Sequence, residues 1–255
     1  MAFASVGTLG TGNSAASGTT VSITTSAAAE AGNLAVVIVG TDNTQTTDGQ
    51  TSEISSITDS VGGNTWTKGG EFCNGGGAAA AGATVSVWFS KLTNQINSGG
   101  AITATLGTAR IAKSLTAWEF TVGASNTVSV ATGSLQTLAN DGADPGSMTI
   151  SGLASKQYLF IRASAQESND TGARTATASY TLFSGAIGDD GSGPGSMLTC
   201  GEFRILTGTG DTSDITYPAV GGAQDTASVY FALEEVSSAN QRSPSGGVIY
   251  GGHSY

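Results

Sequence analysis

Residues 226–236 read Thr-Ala-Ser-Val-Tyr-Phe-Ala-Leu-Glu-Glu-Val, and their alternation decides the fold class. Ala227, Val229, Phe231 and Leu233 fall on one side, and Ser228, Tyr230, Ala232 and Glu234 on the other. A period of two belongs to a strand whose faces meet different surroundings. The same period recurs toward the N-terminus. Leu159 and Ile161 align within 157–163, with Arg162 opposite; Val85, Val87 and Phe89 align within 84–91; Val21 and Ile23 align within 20–24. Segment 33–40 is apolar on both sides (Leu34, Val36, Ile38 against Ala35, Val37, Val39), which suits a central strand covered twice. Further strands are expected over 54–58, 101–106, 112–122, 127–130, 148–150, 175–183, 197–206 and 213–217.

Turn clusters rich in Gly, Asn and Asp separate these runs at 41–49, 69–82, 139–146, 188–195, 207–210 and 221–224. The expected architecture is all-β: an antiparallel β-sandwich, jelly-roll-like, with long Gly-rich loops. A single domain over 1–236 precedes an extended C-terminal tail over 237–255. The tail breaks the alternation, and its Val248, Ile249, Tyr250 and Tyr255 are apolar enough to dock on a partner but too few to fold alone. The Gly/Ala stretch 75–82 carries no bulky side chain, so it is expected to admit another backbone. The first strand, with Gly7, Gly10 and Gly12, is expected to be flexible; no Lys follows these glycines, so they make no phosphate loop.

Composition narrows the function. Charged residues are 11 % of the 255, against about 25 % in an average domain, and Gly numbers 38. Lys, Glu, Gln and Leu are too scarce for a helical bundle, and no run approaches the roughly 20 apolar residues of a membrane helix. Net charge is −10. The nine basic residues are scattered singly, so nucleic acid and anionic membranes are not expected partners. The N-terminus has neither a basic stretch nor an apolar core of the secretory type, so synthesis in the cytoplasm is expected. Cys73 and Cys200 read as free thiols in that compartment, or as a crosslink formed after exit from the cell.

Side chains suited to chemistry are sparse. His253 stands alone near the end of the tail, where no carboxylate holds it as a triad would require. Two distant Cys and one His give no zinc spacing. Acidic loops at 189–193 and 211–214 have the residue types calcium takes, but Asp, Gly and Ser are also ordinary turn residues. Glu234 and Glu235 are neighbours on a strand, so they point to opposite faces and cannot flank one glycosidic bond. No catalytic, cofactor-binding or metal-binding residue is assigned, and no enzymatic activity is expected. Trp66, Trp88 and Trp118 lie in or beside strands. Trp88, opposite Val85, Val87 and Phe89, either packs in a core or subunit interface or offers a platform for a sugar ring.

The most distinctive stretch is 57–67, Ile-Thr-Asp-Ser-Val-Gly-Gly-Asn-Thr-Trp-Thr. Gly62, Gly63 and Asn64 tolerate positive φ, Asp59 can accept backbone N–H bonds, and Trp66 can cover the turn. With Gly32-Asn33-Leu34 before it, Val85-Ser86-Val87-Trp88-Phe89 after it, and Trp118-Glu119-Phe120 ending a later strand, the order resembles a β-sandwich domain of bacteriophage structural proteins and some bacterial surface proteins. That domain carries a "TDSxGNTWT" hairpin. The resemblance covers residues 20–123, and departs by an extra glycine in the hairpin and by the insertion at 75–82. It implies a structural hairpin at Asp59, Gly62, Gly63, Asn64 and Trp66. It implies also a non-enzymatic virion protein, a decoration, spike or tail-surface component, located on the particle beside other virion proteins. A homo-oligomer is expected, with a trimer favoured. The alternative is a carbohydrate-binding module for host-surface glycans.

Overall fold

The computed structural model describes residues 2–49, 53–78, 81–142, 144–168, 174–183, 186–188, 196–217 and 225–237. Every helix or strand among them is a strand, and every ladder is antiparallel. A five-stranded sheet runs in the order β1 (Ala4–Ser14), β8 (Lys113–Thr121), β3 (Leu34–Asp42), β6 (Ala81–Lys91), β5 (Thr67–Ala78). A three-stranded sheet orders β2 (Gly18–Thr24), β7 (Ala101–Arg110), β4 (Ile54–Asp59). The seven-stranded sheet orders β10 (Gln136–Asn140), β17 (Thr226–Ser237), β12 (Lys156–Glu167), β15 (Met197–Gly208), β13 (Thr181–Leu182). In it β9 (Asn126–Val130) also pairs with β17, and β14 (Ala186–Gly188) with β15. A small ribbon joins β11 (Met148–Ile150) to β16 (Asp211–Ser213).

These sheets stack as layers because the large ones are apolar on both faces. Leu34, Val36 and Ile38 of β3 meet Leu159, Ile161, Val229 and Phe231 in the central core, between the five- and seven-stranded sheets. Ala35, Val37 and Val39, on the other face of β3, meet Val21, Ile23, Ile57 and Ile102 beneath the three-stranded sheet. Tyr158, Phe160 and Tyr230, on the outer face of the seven-stranded sheet, meet Met148 and Ile150 of the ribbon. All six residues Leu34 to Val39 are fully buried, as their apolarity on both sides predicts. At about 1.5–3 kcal/mol for each large aliphatic side chain, an upper bound, this strand anchors the molecule. The central core draws on both halves of the chain, so neither half covers its large sheet alone.

Strand order explains why the first half reads as a jelly roll. Strands 1-8-3-6 lie side by side opposite 2-7-4, the arrangement of two Greek keys. The fifth strand departs from it: β5 pairs with β6 in the larger sheet, not with β4 in the smaller.

The structure corrects three local expectations. The turn cluster at 69–82 is mostly strand β5 and the start of β6. Its Gly69 lies under the ring of Phe231, where a Cβ would come within 2.7 Å of the ring, so the glycine serves packing rather than turning. The N-terminal glycines lie in a first strand, as expected, an eleven-residue edge strand with register shifts at Ser5/Gly7 and Thr8/Gly10. Bulges of this kind blunt an exposed edge. The strand expected over 175–183 shrinks to Thr181–Leu182, with Thr175 bridged singly to Thr216. That expected over 213–217 ends at Ser213.

Candidate functional site

The stretch 57–67 forms a corner between sheets rather than a hairpin. β4 pairs with β7 and β5 with β6, so the chain leaves the small sheet at Asp59 and enters the large one at Thr67. Asp59 directs the crossing. Its Oδ1 accepts the N–H groups of Val61 (3.1 Å) and Gly62 (2.9 Å), and its Oδ2 accepts Nε1–H of Trp66 (3.0 Å). Gly62 and Gly63 take φ of +73° and +78°, as expected of them. Asn64 reaches out of the corner. Its Oδ1 accepts from the N–H of Thr93 (2.9 Å) and Asn94 (2.8 Å), and Nδ2–H of Asn94 donates back to Gly62 O (3.0 Å). Trp66 packs against the core beneath the three-stranded sheet. All five residues therefore tie two loops to two sheets. Asp59→Ala removes three accepted bonds at once and should cost about 1–3 kcal/mol, seen as a lower urea midpoint; Asp59→Asn, which keeps one acceptor, should recover part of that.

Trp88 is not a surface residue. It is 8 % exposed within the second core, its indole N–H donates to Ser86 Oγ (2.9 Å), and Lys68 Nζ lies 5.1 Å from its ring centroid. The face opposite Val85, Val87 and Phe89 is covered by this chain's own small sheet, so Trp88 serves neither an interface nor sugar stacking. Trp118 is half-buried against Phe183 and Phe203, with Nε1–H bonded to Ser5 Oγ (2.9 Å). Val248, Ile249, Tyr250 and Tyr255, and the tail that holds them, lie outside the described residues. Cys73 and Cys200 are buried free thiols. Burial pushes the Cys200 thiol up to about 11, so it is no thiolate at neutral pH.

Sequence reading passed over the interior polar groups. On the outer face of the seven-stranded sheet, Arg162 and Glu202 are cross-strand neighbours, both fully buried. Glu202 accepts from Thr177 N (2.7 Å), Thr177 Oγ1 (2.7 Å) and Ser213 Oγ (2.6 Å). Arg162 donates to Pro145 O, Gly146 O and Ser228 Oγ, and burial lowers its pKa to about 10, still charged at pH 7. Nearby, Tyr180 and Tyr230 share a 2.6 Å hydroxyl contact, and Asp211 accepts from Tyr180 and from Arg204. Asp211 is thus committed within the fold, and the acidic loop 189–193 lies outside the described residues. In the first half, Arg110 grips Glu53 through two nitrogens (2.7 and 3.0 Å), and Lys113 donates to three backbone carbonyls. Glu234 pairs with Lys156, while Glu235 accepts from Gly123 N and Asn126, so the two carboxylates are turned apart as expected. A shallow groove of about 410 Å³ lies beside them, lined by Ala2, Lys156, Gln157 and Glu235. These groups fasten loops to sheets.

Glu167, at the end of β12, is 9 % exposed, and among the described residues its Oε1 has no hydrogen-bond donor. Loss of water, with Asp225 and Asp42 adding negative charge, raises its pKa to about 7. A raised carboxyl pKa means the proton stabilises the fold. That contribution is complete below the ordinary value near 4.5 and lost as pH rises through about 7. Stability should therefore fall by up to about 3 kcal/mol between those values, and Glu167→Gln should flatten the profile in urea titrations across that range.

Among the described residues, no three His, Cys, Asp or Glu side chains stand together in a way that could hold a metal ion. No protein-family model, no curated protein and no solved structure matches the chain.

Proposed function

We propose that this chain is a non-enzymatic structural protein of a bacteriophage particle, a decoration, spike or tail-surface component that assembles with copies of itself and with other virion proteins. The observation that carries the reading is the use made of its polar side chains. Asp59, Asn64, Glu202, Arg110 and Lys113 each spend hydrogen bonds on holding loops in place. A catalytic constellation instead aims such groups together into a cleft. The resemblance at 57–67 supports the same reading by association. So does the outer face of the three-stranded sheet, where Thr20, Ser22, Thr24, Ser56, Thr58, Thr103 and Thr105 offer hydroxyls and no charge. A neutral hydroxyl face costs little to dehydrate beside charged surface, which suits packing against a neighbour. The test is the composition of gradient-banded particles from cells that carry the gene. The chain should band with particles at fixed stoichiometry by mass spectrometry, and its absence from them would overturn the reading. Light scattering of the purified chain should report an oligomer.

A further inference from the structure

A sheet edge is where one chain can add a strand to another, and this molecule guards most of its own. The outer strands of the two first-half sheets, β1, β5, β2 and β4, each carry at least one register shift against their neighbour. A bulge of this kind turns an edge away from a partner. Its own chain also covers β5, with Gly49 N bonded to Cys73 O (2.8 Å) and Gly75 N to Asp48 Oδ1 (3.0 Å). In the seven-stranded sheet, β13 and β14 hold only two and three residues. On the opposite side, Lys91 closes the start of β9 by donating to Asn126 O (2.6 Å). Short strands and lysines are further common guards.

The edge strand β10 has none of these. Its residues Gln136 to Asn140 pair with Tyr230 to Thr226 without a shift. Gln136 and Thr137 are exposed, and Leu135 before them is 45 % exposed. Alternate residues of an antiparallel strand turn N–H and C=O away from its partner, here away from β17. Among the described residues, the one backbone group of β10 bonded from outside the ladder is Asn140 O, at the strand's end, which accepts from Asn74 Nδ2 (3.1 Å). A hollow of about 190 Å³, lined by Gln136, Thr137, Leu138, Ser147, Met148 and Thr149, opens alongside and leaves room for side chains of an added strand.

Charge selects the occupant. The chain carries −10, so two copies repel wherever both present acidic surface. Residues 121–140, which include all of β10, contain no charged side chain. The chain's other long edges are bulged, so a copy that adds a strand here offers its own β10. We propose that two copies meet β10 to β10, antiparallel about a two-fold axis near Leu138. Their seven-stranded sheets then join into one, and neither β10 edge is left open. This rests on the reading that copies of the chain assemble with one another. Five residues a side make a small interface, so association of the weak class is expected.

Sedimentation equilibrium of the full chain from about 10 μM to about 1 mM, the span of weak interfaces, should show monomer passing to dimer. Lysines on both edges repel across the axis, so Gln136→Lys combined with Thr137→Lys should weaken the dimer by about tenfold or more while the circular dichroism of the fold is kept. Thr11→Lys, on the bulged edge of β1, should leave the dimer unchanged. Oxidation should link Leu138→Cys copies, which lie opposite each other at the axis, and not Thr11→Cys copies; the native Cys73 and Cys200 are buried. A chain that stays monomeric throughout overturns this inference together with self-assembly. A dimer that survives the paired lysines, or Leu138→Cys copies that link no better than Thr11→Cys copies, overturns the β10 contact alone.

Discussion

Gly40→Val should leave the chain unable to fold, and Gly40→Ala should cost about 2–3 kcal/mol. Gly40 sits on β3, facing the seven-stranded sheet at close range. A Cβ there would lie 2.0 Å from Thr199 Oγ1 and 3.0 Å from the Ala165 Cβ. Thr199 cannot simply swing aside, because its hydroxyl is hydrogen-bonded to Ser114 Oγ across the sheets. Overfilling a close-packed core costs about 1–3 kcal/mol even when neighbours shift, and more for a branched side chain against two rigid sheets. Urea midpoints read the effect. Thr199→Ala in the Gly40→Ala background should recover part of the loss, as contact between the two sites requires. A Gly40→Val variant with an unchanged midpoint would show that the sheets are not this close.

Glu202→Ala should destabilise by about 1–3 kcal/mol or more, since buried donors lose their acceptor. The substitution leaves Thr177 N, Thr177 Oγ1 and Ser213 Oγ without their acceptor, and leaves the buried Arg162 without its cross-strand carboxylate. Glu202→Gln keeps an acceptor and should cost less. Combining Glu202→Ala with Arg162→Met should cost less than the sum of the two, since the arginine is no longer there to be stranded. Additive losses would show that the two cross-strand neighbours do not influence one another.

The fold class was legible because alternation is local: β17, β6, β12 and β3 each carry their period within a few residues. The corner at Asp59 was half-legible. Its turn chemistry is local, but whether β4 and β5 share a sheet depends on which strands flank them, and β6 outcompetes β4 for β5. The strand β5 was hidden because Gly69 and Gly70 look like turn residues until Phe231, over 150 positions away, explains their size. Trp88 was left open between core, interface and sugar platform for a related reason. Alternation gives its face correctly, but nothing near it in sequence says that a second sheet covers that face. The surroundings of Glu167 were invisible because Asp42 and Asp225, distant in sequence, are brought near it only by the fold.

Both halves of the chain form a single body through the shared central core. Calorimetry of the full chain tests it directly. One cooperative transition is expected, with calorimetric and van't Hoff enthalpies equal, and it should move as a whole for Gly40→Ala in the first half and for Phe231→Ala in the second. Two transitions, each moved by the variant in its own half alone, would contradict it.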